Sequence, residues 1–298
     1  AALLAQTRQG IPSGRLYFSG DSLTAGAGGG GTTYPGVMAA ALGLPFITTA
    51  VGGTLSGSIG VRQGGIAMNL TLAADLPADT SEVDVSAYSE EFTNNQGYTN
   101  NVAGTLDGES AILRRYSSAD PNAHITLKYT IRRTEAGEAR PIPAGTRFIA
   151  NLYEGNELDI HYIQAGQNDA RSTRAQRIVV RDNILRMVDR IGHDRFGVLG
   201  LKYNTVLATT ADSTAGMNQM LEDALGWHFI KTYEYLGSQA ALDDAGITAT
   251  GDDLTAVAAG AVPPSLRSDA VHGNASYYTL EGNFMARWHR GHGFPIGS

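Results

Sequence analysis

A serine at the end of a predicted strand is the first residue of this chain whose position suggests chemistry. Gly20-Asp21-Ser22-Leu23 directly follows the β-prone run Arg15–Ser19. Gly20 permits a tight turn, which would expose the Ser22 hydroxyl and point its backbone N–H the same way. Taken alone, Asp21-Ser22 is equally typical of an ordinary helix cap. A serine nucleophile also requires a general base and donors for an oxyanion.

Candidates for those roles follow much later in the chain. Asp269 and His272 stand three positions apart, so on a helical turn they share one face and the carboxylate can orient the imidazole. The alternative is a loop aspartate and a surface histidine.

Two further strand ends offer oxyanion donors. Gly166-Gln167-Asn168-Asp169 follows the predicted strand Leu158–Ala165, and Gly52-Gly53 follows the predicted strand Phe46–Val51. The Asn168 amide has N–H groups to donate, and Gly53 has no Cβ to obstruct a substrate. Ordinary turns are the alternative for both.

A glycine-rich run at residues 26–31 fits the pattern G-x-G-x-x-G. A dinucleotide site would need an acidic residue about 20 positions later, and a phosphate-binding loop would need a lysine. Residues 22–61 contain no Asp, Glu, Lys, Arg or His. We therefore interpret the glycines as a flexible loop beside a site.

Strands and helices alternate in the first 70 residues and again after residue 156. This texture predicts an α/β fold with a mostly parallel sheet covered on both faces, and sites in such sheets gather at the carboxyl ends of the strands. The predicted helices are Thr33–Gly43, Ser56–Met68, Thr173–Ile191, Met217–Leu225 and Gly282–His289. The other predicted strands of this core are Arg195–Tyr203 and Trp227–Leu236.

Between these parts lie four β-prone runs without a helical pattern: Val83–Tyr88, Ala111–Tyr116, Ile125–Arg132 and Arg147–Tyr153. We predict an inserted all-β domain of β-sandwich type at residues 75–155. The catalytic domain then comprises residues 1–74 and 156–298.

Composition narrows the function classes. The 298 residues carry 22 Lys and Arg against 29 Asp and Glu, a net charge of -7 that disfavours nucleic acid as a partner. The absence of cysteine excludes disulfides, thiolate metal sites and cysteine nucleophiles. Glycine and proline interrupt the uncharged stretch, so no membrane span is expected. The chain begins at Ala1 without methionine, which suggests a processed or excised form.

Together the four strand-end motifs resemble the blocks of the SGNH, or GDSL, hydrolase family. Gly20–Leu23 matches its nucleophile block, Gly166–Asp169 its G-x-N-D block, and Asp269–His272 its D-x-x-H block. Val51–Thr54, with Arg62–Gly65 behind it, is similar to the glycine block. The family often has Asn and Gly where Thr48 and Ala50 stand in this chain, so this last match is looser.

The resemblance implies a three-layer α/β/α core and a Ser-His-Asp triad of Ser22, His272 and Asp269. It also implies an oxyanion hole formed by the N–H groups of Ser22 and Gly53 and the side chain of Asn168. Asp21 is expected to be a buried carboxylate that holds its loop. No cofactor and no metal are expected, because no three ligands have metal spacing and this chemistry needs none.

The implied function is a serine esterase that removes small acyl groups, foremost acetyl, from a carbohydrate. The carbohydrate preference rests on the β insert, which resembles the carbohydrate-binding modules of some SGNH deacetylases, including those of bacteriophage tail spikes. That resemblance implies an extracellular, secreted or virion-associated protein. The alternatives are a short-chain carboxylesterase or lipase, and a carbohydrate-binding protein with a vestigial triad. The sequence does not specify the oligomeric state.

Overall fold

The computed structural model describes residues 14–93, 100–116, 129–151, 158–203 and 208–297. These residues divide into two compact units. The first comprises residues 14–52, 158–181, 193–203 and 208–297, and the second comprises residues 53–93, 100–116, 129–151 and 182–192.

Strands and helices of the described residues are numbered separately in chain order. The strands are β1 (Leu16–Ser19), β2 (Phe46–Thr48), β3 (Met68–Leu72), β4 (Val83–Tyr88), β5 (Asn100–Leu106), β6 (Glu109–Arg115), β7 (Tyr129–Arg133), β8 (Thr146–Ala150), β9 (Ile160–Ile163), β10 (Phe196–Leu199) and β11 (Phe229–Ile230). The helices are α1 (Tyr34–Leu42), α2 (Ser56–Gln63), α3 (Arg174–Ile191), α4 (Ala208–Leu225), α5 (Thr232–Leu236), α6 (Gln239–Asp244), α7 (Gly251–Ala258) and α8 (Ala275–Gly291). In the described ranges, none of these helices has the length and apolarity needed to cross a membrane.

The first unit contains a five-stranded sheet in the order β11-β10-β9-β1-β2. Every neighbouring pair in it is parallel. This confirms the predicted α/β core with a parallel sheet. Strand order reverses at β1, because β2 lies on one side of it and β9 on the other. Such a reversal opens a crevice at the carboxyl ends of the strands, where ligands bind in open α/β sheets.

One face of this sheet packs on α1 and α8. Leu16 and Phe18 point to that face and are fully buried with Tyr34 of α1 and Tyr278 of α8. The boundaries of α1 follow the sequence signals: the Thr33 side chain accepts a hydrogen bond from the Gly36 N–H at 3.1 Å. At the other end Gly43 adopts a φ of 67°, which suits glycine as a helix terminator.

In the second unit, six antiparallel strands form a closed barrel in the order β3-β4-β7-β6-β5-β8. The all-β texture is confirmed, but the predicted sandwich is not, because β8 pairs with both β3 and β5 and thereby closes the sheet. Closure removes the unpaired edges that a sandwich keeps. The barrel begins at Met68, ahead of the predicted start of the insert at residue 75.

Several predicted elements have different limits in the structure. The helix predicted at Ser56–Met68 ends at Gln63, because Gly64 adopts a φ of 89° and Met68 starts β3. The strand predicted at Trp227–Leu236 is wrong except at Phe229–Ile230, since α5 occupies Thr232–Leu236. Residues 125–128 and 152–153 of two predicted strands lie outside the described residues.

Candidate active site

The turn after β1 places Ser22 at the start of a single helical turn. The N–H of Ala25 donates to the Asp21 carbonyl at 3.0 Å, and the N–H of Ala27 donates to the Ser22 carbonyl at 3.0 Å. A Cβ on Gly20 would lie 2.0 Å from Thr24 Oγ1, so only glycine fits where this turn leaves the strand. Ser22 therefore sits at the carboxyl end of β1, beside the strand-order reversal.

A second loop carries Asp269 and His272 immediately ahead of α8. Asp269 Oδ1 accepts the backbone N–H groups of Val271 and His272, each at 2.7 Å. Its other carboxylate oxygen, Oδ2, lies 2.8 Å from His272 Nδ1. The hydrogen bond from the His272 side chain, followed by the two backbone bonds, lowers the pKa of Asp269 to about 2. Asp269 is therefore an ionised acceptor at neutral pH.

The two loops meet at the Ser22 hydroxyl. His272 Nε2 lies 2.9 Å from Ser22 Oγ, although the residues are 250 positions apart in the chain. Because the Asp269 carboxylate can only accept, Nδ1 carries the proton and Nε2 is free to accept the hydroxyl hydrogen of Ser22. Ser22 is 8% exposed, so the nucleophile candidate is sheltered but still reachable. The structure thus brings the three predicted triad residues into one hydrogen-bonded chain.

The glycine-rich run packs against the loop that carries His272. A Cβ on Gly28 would lie 1.9 Å from Ser268 Oγ, and a Cβ on Gly29 would lie 2.6 Å from the Tyr278 ring. Tyr278 donates its hydroxyl hydrogen to the Ala27 carbonyl at 2.7 Å. The interpretation of these glycines as a loop beside a site agrees with this placement, and close approach is the reason for at least two of them.

Asn168 and Asp21 contact each other beneath the nucleophile turn. Asn168 Nδ2 donates to Asp21 Oδ2 at 3.3 Å, and the Leu23 N–H donates to Asp21 Oδ1 at 3.0 Å. Asp21 is fully buried, and this burial raises the pKa of its carboxyl to about 6, against the opposing effect of the Leu23 hydrogen bond. As expected, Asp21 is a buried carboxylate that caps its own loop.

Sequence reasoning missed Arg171, which holds the turn that carries Asn168. Its Nη1 donates to the carbonyls of Gly166, Gln167 and Asp169 at 3.1, 2.7 and 3.1 Å. Three carbonyls that converge on one guanidinium fix the path of the turn. The only sequence signal was an arginine two residues after the Asn-Asp pair, which is too weak to assign a role.

A buried ion pair was also missed. Lys202 Nζ lies 2.6 Å from Glu281 Oε1, and both side chains are inaccessible to solvent. Lys202 also donates to Thr232 Oγ1 at 2.5 Å. Its positive charge is one of the effects that keep the pKa of Asp21 from rising further. Neither residue stands in a recognisable motif, so only the fold reveals the pair.

Gly53, the third oxyanion donor of the sequence analysis, is the first residue of the second unit. Its φ of 67° is one that glycine tolerates best. In the first unit, the N–H of Val51 donates to the Gly20 carbonyl at 3.2 Å, so the chain after β2 runs beside the nucleophile turn. The oxyanion role of Gly53 stays a prediction.

The described histidines outside this site include two with clear structural contacts. His289 Nδ1 lies 2.7 Å from the Tyr162 hydroxyl, and its Nε2 lies 2.6 Å from the Pro295 carbonyl. His161 is buried in β9, and burial lowers its pKa to about 3. In the part of the chain that the structure describes, no three His, Asp or Glu side chains form a group able to hold a metal.

Comparisons with known proteins give only distant likenesses. No protein-family model and no curated protein matches this sequence. A solved lipase, Lip_vut3 from a goat rumen metagenome, is 11% identical at a TM-score of 0.47, over 95% of this chain and 99% of that one. A carbohydrate esterase family 2 enzyme plus carbohydrate-binding domain from Corynascus thermopiles (Myceliophthora fergusii) is 15% identical at a TM-score of 0.45, over 95% of this chain and 68% of that one. Any functional assignment therefore depends on the geometry of the site itself.

Proposed function

We propose that this protein is a serine esterase of SGNH type that removes small acyl groups, foremost acetyl, from a carbohydrate. The observation that carries the proposal is the hydrogen-bonded chain from Ser22 Oγ through His272 to Asp269, with distances of 2.9 and 2.8 Å. Nucleophile and base within hydrogen-bond reach, with the base oriented by a third group, is the arrangement that activates a serine hydroxyl.

In the proposed reaction, Ser22 Oγ attacks the ester carbonyl while His272 Nε2 takes the hydroxyl proton. The Asp269 carboxylate holds the imidazole in the required tautomer and stabilises the imidazolium that forms. His272 then gives the proton to the leaving alcohol, which leaves an acyl group on Ser22. A water molecule, deprotonated by His272, then attacks that acyl group. His272 returns the proton to Ser22 Oγ as the bond to the acyl carbon breaks, which releases the carboxylic acid and restores the hydroxyl.

The negative oxygen that forms at each attack needs donors. We assign this role to the N–H groups of Ser22 and Gly53 and to the Asn168 side chain. Asn168 Nδ2 carries two hydrogens, so its 3.3 Å bond to Asp21 does not exhaust its capacity to donate. Asp21 and Arg171 are positioning residues in this proposal, because they hold the turns that present the donors.

The ester substrate has an alcohol part and an acyl part, which are assigned separately. A carbohydrate alcohol is supported by the β-rich second unit, through the resemblance to esterases with inserted carbohydrate-binding modules. An acetyl group is the simplest acyl group for such an enzyme. A short-chain carboxylesterase or a lipase would use the same triad on a different ester.

Ser22→Ala tests the chemistry directly. Turnover of p-nitrophenyl acetate should fall to the level without enzyme, while the urea unfolding midpoint stays within error of wild type. Ser172→Ala, at an exposed serine of the same unit, is the matched control and should keep full activity. A fluorophosphonate should label Ser22 and no other residue; labelling elsewhere would overturn the assignment.

Two substrate series test the specificity. The protein should release acetate from at least one polysaccharide in an acetylated panel. The same polymers after chemical deacetylation give the background, and acetate release must exceed it. A series of p-nitrophenyl esters with two to eight acyl carbons should show its highest kcat/KM at two carbons. A maximum at eight carbons would favour a lipase instead. Inactivity on every ester would favour the binding protein with a vestigial triad.

A further inference from the structure

A cavity of about 620 Å³ in the second unit concentrates positive charge. Arg147 of β8 and Arg186 and Arg190 of α3 line it, with one carboxylate, Asp189, among them. Thr105 of β5 and Asn151 also line it. Its volume falls within the roughly 300–1,000 Å³ that is common for small-molecule sites.

The alternation of side chains along β8 and its pairing with β5 direct the polar side chains of these strands toward the cavity. In β8, Phe148 and Ala150 are buried inside the barrel, so the alternating Arg147, Ile149 and the following Asn151 face outward. β5 pairs beside β8, and Thr105 Oγ1 donates to Asn151 Oδ1 at 3.3 Å. The polar wall of the cavity therefore belongs to a paired, hydrogen-bonded sheet.

The C-terminal half of α3 also lines the cavity. Arg186 and Arg190 are four residues apart, which puts both on one face of the helix. Gly64 allows a close approach there, because a Cβ on it would lie 2.5 Å from the Ala150 carbonyl oxygen and 3.5 Å from Arg190 Nε. Gly64 therefore lies close to both β8 and α3.

Without a ligand, the three arginine charges that line this cavity repel one another. Like charges at i and i+4 destabilise a helix, and in this cavity a third guanidinium faces the same space. Within the described residues no hydrogen bond or ion pair holds the side chain of Arg147. The chain as a whole carries a net charge of -7, so this cluster runs against its overall composition. A bound anion would compensate the cluster.

We propose that this cavity binds a carboxylate-bearing sugar unit of an oligosaccharide. Guanidinium groups match the two oxygens of a carboxylate, while the Thr105 hydroxyl and the Asn151 amide suit the hydroxyls of a sugar ring. Nucleic acid is disfavoured by the net negative charge. Under the proposed esterase function, on which this step rests, the substrate is an acidic acetylated polysaccharide that the second unit recognises.

Calorimetry on the full chain tests the binding. Hexagalacturonate should bind, and the neutral maltohexaose should not. Arg147→Ala and Arg186→Ala should each weaken hexagalacturonate binding at least tenfold, which is about 1.4 kcal/mol. Arg174→Ala is the matched control, because it removes the same charge from the same helix at an exposed residue that does not line the cavity. It should leave the affinity unchanged, and raising the NaCl concentration should weaken wild-type binding.

Three results would overturn the proposal: equal binding of both hexasaccharides, no binding of hexagalacturonate, or binding that Arg147→Ala and Arg186→Ala leave unchanged in folded protein. A heparin hexasaccharide provides a further arm. If heparin binds more tightly than hexagalacturonate, the recognised group is a sulfate and the carboxylate assignment is overturned. Preference for a single-stranded DNA hexamer would overturn the sugar altogether.

Esterase assays on the same variants separate this proposal from the proposed function. Neither Arg147 nor Arg186 belongs to the triad, so both variants should keep the wild-type rate on p-nitrophenyl acetate. Both should lose activity on an acetylated acidic polymer through a higher KM. If Ser22→Ala leaves esterase activity intact while hexagalacturonate binding still depends on Arg147, the function fails and the cavity assignment stands.

Discussion

Replacing Asp21 by asparagine should stabilise the protein at neutral pH and impair its chemistry. Asp21 is fully buried, and this burial raises the pKa of its carboxyl from 3.8 to about 6. The nearby Asp169 carboxylate raises this pKa further, whereas Lys202 and the Leu23 N–H lower it. An amide has the same shape and no charge, so it avoids the cost of a buried ion.

The magnitude follows from the size of the pKa change. A rise of about 2 units at about 1.4 kcal/mol per unit corresponds to about 3 kcal/mol. The folded state binds this proton more tightly than the unfolded state, because the pKa of Asp21 is higher in the folded state. The stability that the protonated carboxyl contributes is therefore fully present below pH 3.8 and is lost as the pH rises through about 6. Above pH 6 the ionised carboxylate therefore costs the wild-type fold about 3 kcal/mol that the variant does not lose.

The variant loses one contact in exchange. Asn168 Nδ2 donates to Asp21 Oδ2 at 3.3 Å, and an amide nitrogen in that position cannot accept. This lost bond costs about 1 kcal/mol. Asp21→Asn should therefore be more stable than wild type by about 2 kcal/mol at pH 8, and less stable by about 1 kcal/mol near pH 4.

Urea unfolding of both proteins from pH 4 to pH 8 measures this difference. Taking the difference cancels the titration of groups that do not interact with Asp21. If the stability difference between wild type and Asp21→Asn is constant over this range, the raised pKa of Asp21 is wrong. On p-nitrophenyl acetate, kcat should fall by about 10²-fold or more, because a turned Asn168 amide no longer stabilises the oxyanion.

Three further predictions concern the loops and the buried pair. Asp269→Asn should lower kcat by roughly 10³- to 10⁴-fold with little change in KM, because His272 loses the partner of its Nδ1–H; an unchanged rate would assign its orientation to another group. Glu281→Gln should lower the free energy of unfolding by about 3–5 kcal/mol, since it leaves the Lys202 charge buried, whereas Lys202→Met combined with Glu281→Leu should lose less in the same denaturant titration. Gly28→Ala should reduce kcat more than Gly30→Ala: both sites have positive φ, of 82° and 58°, but only at Gly28 would the Cβ collide with Ser268. Equal rates for the two glycine variants would remove close approach as the reason for Gly28.

The sequence predicts the core elements well where local signals are strong. Helix α1 lies between its predicted cap residues, Thr33 and Gly43. Both act locally, Thr33 through its side-chain hydrogen bond and Gly43 through its left-handed backbone conformation. The strand β4 has its predicted limits, Val83–Tyr88, because apolar and polar residues alternate there. By contrast, the β-prone run 227–236 contains a two-residue strand followed by a helix. The strand ends where its pairing with β10 ends, and β-propensity does not determine this limit.

The closed barrel shows what a strand pattern leaves open. A run of β-prone residues predicts that a strand forms, but closure depends on whether the last strand returns to the first. In this barrel β8 meets β3 at Met68↔Phe148, a pairing between residues 80 positions apart. No local signal encodes that pairing, so a sandwich and a barrel look alike in the sequence.

The candidate site divides in the same way. Groups that must project from a turn stand in short motifs at the ends of strands or just ahead of a helix, which is why Ser22, Asn168 and the pair Asp269 and His272 stand out as candidates in the sequence. The groups that hold those turns act through burial, and burial is a property of the whole fold. Arg171 Nη1 donates to three carbonyls, at distances of 2.7 to 3.1 Å, and this convergence is visible only in the folded chain. For this reason variants at such supporting positions should distort the site by moving its backbone, whereas variants at the motif residues should remove chemistry and leave the backbone in place.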